Sequence, residues 1–331
     1  MDKPTNVWCS EMEKIKTIVI IIALIVIFSS VGGIVYLQLS GNGPPEGPIT
    51  VTDDSGRSVT VENYPPERIV SIMPVCTEIA CALGLEEKIV GVDDHTNYPA
   101  SILEKVEDGT LTNVGDPLDV SIEAIIGLNP DLVLSDHGEG QSPTVQRLEE
   151  LGIPVVVLHP KNLNGVISDI QLVGQITGKD KEAEALANDL NQRIQEVISK
   201  SQNLEKPRVY VEYYFSSGYW TVGSKSFITE LISTAGGINV FGQIDDEYLS
   251  TSTEGVLQAN PEIIIISQGQ MSAACGLTPE VVKARTGWDD TIALQNDQIF
   301  TINEDLMIRP GPRIVDGLEK MATILHPEVF D

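Results

Sequence analysis

The chain has 331 residues, which is enough for two domains of ordinary size and a short terminal segment. It carries 21 Lys and Arg against 48 Asp and Glu, and residues 50–331 alone hold 18 bases and 44 acids, a net charge of −26. A field of this sign repels nucleic acid and anionic lipid headgroups, so neither is expected as a partner. The four cysteines and four histidines are too scattered for a disulfide framework or a zinc signature, so we expect no resident metal or cofactor.

The amino-terminal part contains an uncharged, mostly apolar run at residues 18–37. As a helix this run is long enough to cross a hydrocarbon core, and it exceeds the apolar core of about 7–15 residues found in cleaved signal peptides. Lys14 and Lys16 precede it and no base follows until Arg57, so residues 1–17 are expected in the cytoplasm and the rest outside. We therefore predict a single-pass anchor in the cell membrane, with a cleaved signal as the alternative, followed by a Gly/Pro-rich linker at 38–48.

Beyond the linker, strand and helix patterns alternate. A hairpin is predicted at 49–61. Strands are predicted at 68–72, 88–92, 131–135, 154–158, 208–213, 262–267 and 298–302, and helices at 77–83, 121–128, 142–151, 164–177, 226–235, 252–259, 279–285 and 312–325. Several strands are apolar on consecutive positions, as expected of parallel strands covered on both faces. The pattern predicts two Rossmann-like α/β lobes, at 49–178 and 202–331.

A long amphipathic helix at 179–201 separates these lobes, with Leu186, Leu190 and Ile194 at helical spacing. The sequence before it is echoed after it. Residues 121–134, SIEAIIGLNPDLVL, align without gaps on residues 252–265, STEGVLQANPEIII, and residues 77–84 pair with 229–236. Two repeated segments in the same order indicate that the two lobes share one architecture and are joined by a single helix.

In open α/β sheets, ligands bind beyond the carboxyl ends of the strands. The residues that follow predicted strands are therefore the candidates for ligand binding. They are Cys76, His95, Tyr98, His137, Tyr214, Tyr219, Trp220, Gln270, Arg309 and Arg313.

Several of these candidates have two interpretations. Arg309 and Arg313, on a loop stiffened by prolines, are suited to bidentate binding of carboxylates or phosphates, or to pairing with a nearby Asp. His95 and His137 are suited to coordinating the metal of a ligand, although a lone loop histidine is usually just solvated. Within the strand at 208–213, Tyr210 is expected to point inward and Glu212 outward.

The repeated acids Glu123 and Glu254 each stand in the first turn of a predicted helix after a Ser N-cap. A Glu at this position favours the helix dipole by about 0.3–1 kcal/mol, which is a sufficient structural reason for it. Docking to a partner is the alternative, and position alone does not separate the two.

The motifs together resemble the substrate-binding proteins of ABC importers for iron-siderophores, haem and vitamin B12. The resemblance is carried by RIVSI at 68–72, Thr77-Glu78, Leu83-Gly84, VGV at 90–92, Tyr98-Pro99, the SxE…NPDLVL run, Leu151-Gly152, Ser226-Phe227, AGG at 235–237, NVF at 239–241 and the loop from Arg309 to Arg313. It spans roughly residues 49–330, and the motifs keep the family's order throughout.

The resemblance implies two α/β lobes bridged by one rigid helix, with a metal complex bound in the cleft between them. It also implies an ABC permease and ATPase as partners, with one glutamate of each lobe docking onto permease arginines; Glu123 and Glu254 occupy the matching positions. A monomeric binding protein with no catalytic residues is expected. The alternatives are a metal- or tetrapyrrole-processing enzyme and a surface receptor without a permease, but the GxSxG, P-loop, GxGxxG and HExxH motifs of common enzymes are absent.

Overall fold

The computed structural model describes residues 47–136, 142–215 and 218–330. The predicted anchor at 18–37, most of the linker and His137 lie outside these ranges. Within them, no helix has the length and apolar character needed to cross a membrane.

The strands and helices alternate along the described chain. The strands are β1 Ile49–Thr52, β2 Ser58–Val61, β3 Ile69–Ser71, β4 Ile89–Val92, β5 Thr112–Asn113, β6 Gly115–Asp116, β7 Asp119–Val120, β8 Leu132–Ser135, β9 Val155–Val157, β10 Arg208–Glu212, β11 Tyr214–Phe215, β12 Tyr219–Val222, β13 Ile238–Asn239, β14 Tyr248–Thr251, β15 Ile263–Gln268 and β16 Ile299–Asn303. The helices are α1 Pro74–Ala82, α2 Ala100–Glu107, α3 Ile122–Gly127, α4 Pro143–Glu150, α5 Leu163–Thr177, α6 Asp180–Ser201, α7 Phe227–Thr234, α8 Thr253–Ala259, α9 Gln270–Cys275, α10 Pro279–Lys283, α11 Ile292–Gln295, α12 Asp305–Ile308, α13 Ile314–Leu325 and α14 Pro327–Phe330.

Each lobe is built on its own parallel sheet. The first lobe has the strand order β5-β4-β3-β8-β9, and the second has β13-β10-β15-β16. Every pairing within these two sheets is parallel. The second lobe adds a small antiparallel sheet, β11-β12-β14, and the first adds the hairpins β1-β2 and β6-β7. Two α/β lobes with parallel sheets are confirmed.

The sequence echoes correspond to the same structure in each lobe. Reading β4-β3-β8-β9 beside β13-β10-β15-β16 gives one connection order twice. The echoed Asn129 and Asn260 both end a helix with left-handed backbone, at φ of 46° and 43°. The echoed Asp131 and Glu262 each accept a hydrogen bond from the backbone N–H that begins the neighbouring strand, at 2.9 and 2.8 Å. The repeated sequences therefore adopt the same local structure in both lobes, including the helix ends and the hydrogen bonds at the strand starts.

Helix α6 packs against helices of both lobes, along α5 of the first and against α13 and α7 of the second. Its buried face includes Leu190 and Ile194, as predicted, together with Ala183 and Ala187, whereas Leu186 is only partly buried. On its outer side, Arg193 bonds Asp316 and Glu319 of α13 at 2.6 and 2.7 Å. One continuous apolar core runs from the first lobe past this helix into the second. Large rotation of one lobe against the other would break that core, so the fold favours small movements of the cleft.

One expectation for β10 is wrong. Tyr210 is buried as predicted, but Glu212 is also fully buried, because residues two apart in a strand share a face. Glu212 receives two hydrogen bonds of 2.6 Å from Arg285 and one of 3.0 Å from the Tyr210 hydroxyl. This satisfied pair lies inside the second lobe and leaves Glu212 inaccessible to a partner.

Candidate functional site

The lobes meet through an ion-pair network beyond the carboxyl ends of their strands. Arg313, at the start of α13, donates from Nε and Nη2 to the two carboxylate oxygens of Glu78 in α1, at 2.9 and 2.5 Å. Glu78 is only 3% exposed. The Arg313 guanidinium also stacks on Tyr98, 4.0 Å from the ring centre. Hydrogen bonding to Glu78 raises the pKa of Arg313 above its usual value, so the arginine remains a cation.

Arg309 belongs to the same network. It donates to Oδ1 of Asn97 at 2.6 Å, pairs with Asp305 at 3.0 Å and lies 3.6 Å from the Glu78 carboxylate. Asn97 in turn donates to Asp305 at 3.0 Å. Two arginines and two carboxylates, drawn from both lobes, thus compensate each other at the base of the cleft. Of the two roles open to these arginines, the structure displays ion pairing.

A second contact between the lobes is the counterpart of the first. Glu230, the residue of α7 that echoes Glu78, accepts a hydrogen bond of 2.9 Å from the backbone N–H of Leu163. Leu163 is the first residue of α5, just as Arg313 stands at the start of α13. Burial raises the pKa of the Glu230 carboxyl. Each echoed glutamate therefore reaches across to a helix start in the opposite lobe.

The first-lobe rim of the cleft carries an imidazole between two carboxylates. His95 Nε2 lies 3.7 Å from Asp94 and 3.7 Å from Asp116, and its side chain is half-exposed. The candidate ligand atoms of these three side chains lie within 4.8 Å of one another. Leu118, two residues beyond Asp116 in the turn between β6 and β7, is 81% exposed. The rim thus presents negative charge and an apolar side chain next to the predicted residues His95 and Tyr98.

Sequence reasoning missed Asp116 and Leu118, because Asp116 ends a two-residue strand and Leu118 stands in the turn that follows it. The usable signal was the Asp-Pro-Leu-Asp run, whose residues favour a turn and whose exposed Leu has no structural reason there.

The aromatic segment of the second lobe folds into β11 and β12, where the sequence predicted irregular contact residues. Tyr214 and Trp220 are direct cross-strand partners, so they share one face of this hairpin. Trp220 Nε1 is buried and has no hydrogen-bond partner among the described residues. Tyr219 lies on the other face, where its ring packs edge-on against Trp288 at 5.1 Å and under the Arg285 guanidinium at 4.3 Å. Tyr219 is therefore occupied by internal packing, whereas Tyr214 and Trp220 remain contact candidates.

Of the remaining predicted contact residues, Cys76 is buried and Gln270 is exposed. Cys76 is fully buried in the core of the first lobe, and desolvation raises the pKa of its thiol well above the usual value. A neutral, enclosed thiol offers nothing to a cleft ligand in this structure. Gln270, the first residue of α9, is exposed and keeps its side chain available. His137 lies outside the described residues.

The repeated acids stand alone on the surface. Glu123 and Glu254 are both exposed in the first turns of α3 and α8, each behind a serine whose hydroxyl caps the helix. Within the described part of the chain neither carboxylate is paired with a base. Hydrogen bonds from its own backbone N–H and from Ser252 lower the pKa of Glu254, so it is ionised. The two lobes therefore each present, at equivalent positions, a carboxylate without a paired base among the described residues.

Comparison with known proteins shows which family has this architecture. The family model described as "Periplasmic binding protein" matches residues 69–306. The chain is 28% identical to the uncharacterized ABC transporter substrate-binding lipoprotein YvrC of Bacillus subtilis, over 86% of this chain and 87% of that protein. It is 27% identical to a cobalamin-binding protein of Halobacterium salinarum, over 84% of this chain and 74% of the relative.

Solved structures agree with this placement. The periplasmic vitamin B12-binding protein of Vibrio cholerae superposes with a TM-score of 0.67 at 28% identity, covering 80% of this chain and 98% of that one. The periplasmic haem-binding protein of Roseiflexus superposes with a TM-score of 0.69 at 26% identity, covering 80% and 99%. The chain therefore belongs to the periplasmic binding protein family, the substrate-binding components of ABC importers, and it is a binding protein rather than an enzyme.

Proposed function

We propose that this protein captures a corrinoid or an iron complex, such as a siderophore or haem, in the cleft between its lobes and delivers it to an ABC permease and its ATPase. Relatives named for cobalamin and vitamin B12, and a solved structure named for haem, support this class of cargo. Tyr98, His95, Trp220, Tyr214 and Gln270 are the proposed contacts, since they border the cleft or remain accessible. Delivery takes place outside the cytoplasm, with a monomer held at the membrane by residues 18–37.

The observation that carries the proposal is the matched pair Glu123 and Glu254. A helix-start acid is worth about 0.3–1 kcal/mol to its own helix, which explains either residue singly. It does not explain why both lobes have an exposed carboxylate, with no base paired to it among the described residues, at the same place in an otherwise divergent repeat. A permease that offers one cation to each lobe supplies the missing partner, and opposite charges at such an interface fix the register of docking.

The test reverses these charges. Glu123→Lys and Glu254→Lys should each weaken association with the permease and slow uptake, because like-charge contacts cost several kcal/mol at the interface that contains them. Cargo affinity should stay within about twofold, since both residues lie outside the cleft. The measurements are uptake into proteoliposomes and titration calorimetry with cyanocobalamin, haem and ferrichrome.

Glu184→Lys is the matched control, because it makes the same charge change on the exposed face of α6. Unimpaired transport by the double variant would reduce Glu123 and Glu254 to helix-start acids. Failure of all three cargoes to bind would refute capture itself.

A further inference from the structure

The two cleft arginines are already used by the protein. Arg313 donates from Nε and Nη2 to Glu78, and Arg309 contacts Asn97, Asp305 and Glu78. Glu78 and Asp305 therefore already balance the positive charge of the two arginines. An anionic cargo that takes the full charge of either arginine has to displace a carboxylate of the protein.

Displacement of Glu78 is unfavourable because its carboxylate cannot reach solvent. Its side chain is 2% exposed, and it sits in the middle of α1, so it cannot turn to solvent when an arginine leaves. Breaking a buried pair leaves an uncompensated charge in a low-dielectric site, which costs more than one exposed contact returns. The pair of arginines thus behaves as a clamp between lobes with no net positive charge to offer.

The rest of the first-lobe rim is negative. Asp94 and Asp116 flank His95 with nearly half-exposed carboxylates, at 42% and 48% exposure. The surrounding body carries a net charge of −26 over residues 50–331, so no long-range positive field offsets them. A polyanionic complex entering this cleft meets like charge at the rim and a compensated network at the base.

We infer that the cleft selects a neutral or cationic metal complex and rejects polyanionic ones, with Asp94 and Asp116 setting this preference and Arg309 and Arg313 holding the lobes together. The inference rests on the proposed function, since it names the charge class of the same cargo. It reverses the simplest expectation from the sequence, in which the Arg309 and Arg313 loop attracts an anion.

The experiment compares complexes of different charge within each of two series, by titration calorimetry on the full chain. The corrinoids are aquocobalamin, which is cationic, cyanocobalamin, which is neutral, and the b,d,e-tricarboxylic acid of cyanocobalamin, which has three carboxylates in place of amides and keeps the nucleotide loop. Ferrioxamine B, ferrichrome and ferric tricatecholate form a matching cationic, neutral and anionic iron series. Within whichever series binds, the anion should bind about 100-fold more weakly than the neutral complex. High salt should reduce this difference in affinity, because it screens the repulsion between the anion and the exposed carboxylates.

A charge-matched pair of variants locates the effect. Asp94→Asn with Asp116→Asn should reduce the preference against the anion about tenfold, whereas Glu184→Gln with Asp189→Asn, the same change on the exposed face of α6, should leave it intact. An anion that binds as tightly as its neutral counterpart would overturn the inference and leave capture standing. Equal effects of the two double variants would show that net charge, and not the rim, sets selectivity. Absence of binding in both series would sink the proposed function, and the inference with it.

Discussion

Asp169 is a carboxylic acid without a carboxylate's usual surroundings. It lies on α5 and is 1% exposed, and no N–H or hydroxyl donor among the described residues bonds either oxygen, although the Asp54 carboxyl lies close to it. Desolvation, with a contribution from nearby Asp54, raises its pKa to about 9. At neutral pH the group is therefore protonated in the folded protein and ionised in the unfolded chain, where its pKa is about 3.9.

This difference makes stability depend on pH in a definite direction. Between about pH 4 and pH 9 the folded state binds the proton that the unfolded state has lost, so the contribution of Asp169 to stability is full at low pH and declines as pH rises through that window. Asp169→Asn should remove the decline and gain relative to the parent as pH increases. Urea unfolding at several pH values between 5 and 9 measures it, with Glu184→Gln as the exposed control. A parent and variant with parallel pH profiles would show that Asp169 does not titrate in this range.

The residue scale also shows where sequence reasoning reaches its limit. The placement of Arg309 and Arg313 on a loop after the last strand was readable, because strand ends are visible in the apolar pattern. Their partner was not, since Glu78 lies 235 residues earlier than Arg313. Ion pairs depend on which elements the fold brings together, and a local pattern carries no such information. Glu212 was misassigned for a simpler reason, the two-residue period of a strand.

At the scale of elements, two echoed glutamates each contact the start of a helix in the opposite lobe, by different bonds. Glu78 pairs with the Arg313 side chain at the start of α13, whereas Glu230 accepts from the backbone N–H of Leu163 at the start of α5. A carboxylate that accepts from a helix-start N–H satisfies a free donor and complements the positive end of the helix dipole. The Glu230 contact can therefore be tested without disturbing the arginine network.

Glu230→Ala should destabilise the protein by about 1–2 kcal/mol, because it leaves the Leu163 N–H without its acceptor and removes a charge from the start of α5. Glu230→Gln should recover most of this loss, since the amide oxygen can still accept. Unfolding free energies measure the cost, and hydrogen exchange at the Leu163 amide shows whether the contact is lost. Full protection of that amide in Glu230→Ala would mean that another group holds the helix start.

Buried strands were predicted from the sequence more accurately than partly exposed ones. The central strands β3, β4, β8, β9, β10, β15 and β16 were all predicted to within two residues, because parallel strands covered on both faces read as apolar runs. The small sheet β11-β12-β14 was not, since its strands mix exposed and buried aromatic and polar residues. The shortest strands have two residues each and leave no periodic signal; they are β5, β6, β7, β11 and β13. Two of the unpredicted elements, the β6-β7 and β11-β12 hairpins, carry residues of the candidate site, where contacts rather than core packing decide the sequence.

The repeat also places the proposed docking acids Glu123 and Glu254 next to elements that carry candidate site residues. Glu123 follows directly on the β6-β7 hairpin that carries Asp116 and Leu118. Glu254 follows directly on β14, which pairs with the strand that carries Trp220. In both lobes, then, the segment that carries candidate site residues, or pairs with the strand that does, leads into the helix that carries a proposed docking acid.

At the scale of the whole molecule, the strong negative charge of residues 50–331 bears on how the protein can be held at a membrane. A body of net charge −26 over residues 50–331 gains nothing from anionic headgroups and is repelled by them. Basic patches, which hold many peripheral proteins, are therefore not the means of attachment. The proposed means is the apolar run at 18–37, whose retention would be effectively irreversible.

If this run is kept, the protein should remain with membranes through high salt and alkaline washing, and its intact mass should include Met1 or Asp2. High salt removes proteins held by charge, so it separates the two modes of attachment. Detergent should release the protein whether it is held by charge or by the apolar run, so the detergent extract gives the total amount of protein for comparison. Fractionation of the source cells followed by intact-mass spectrometry makes the measurement. A soluble mature form that begins near Gly41 would instead identify residues 18–37 as a cleaved signal, and the binding lobes would then act as a freely diffusing carrier rather than a tethered one.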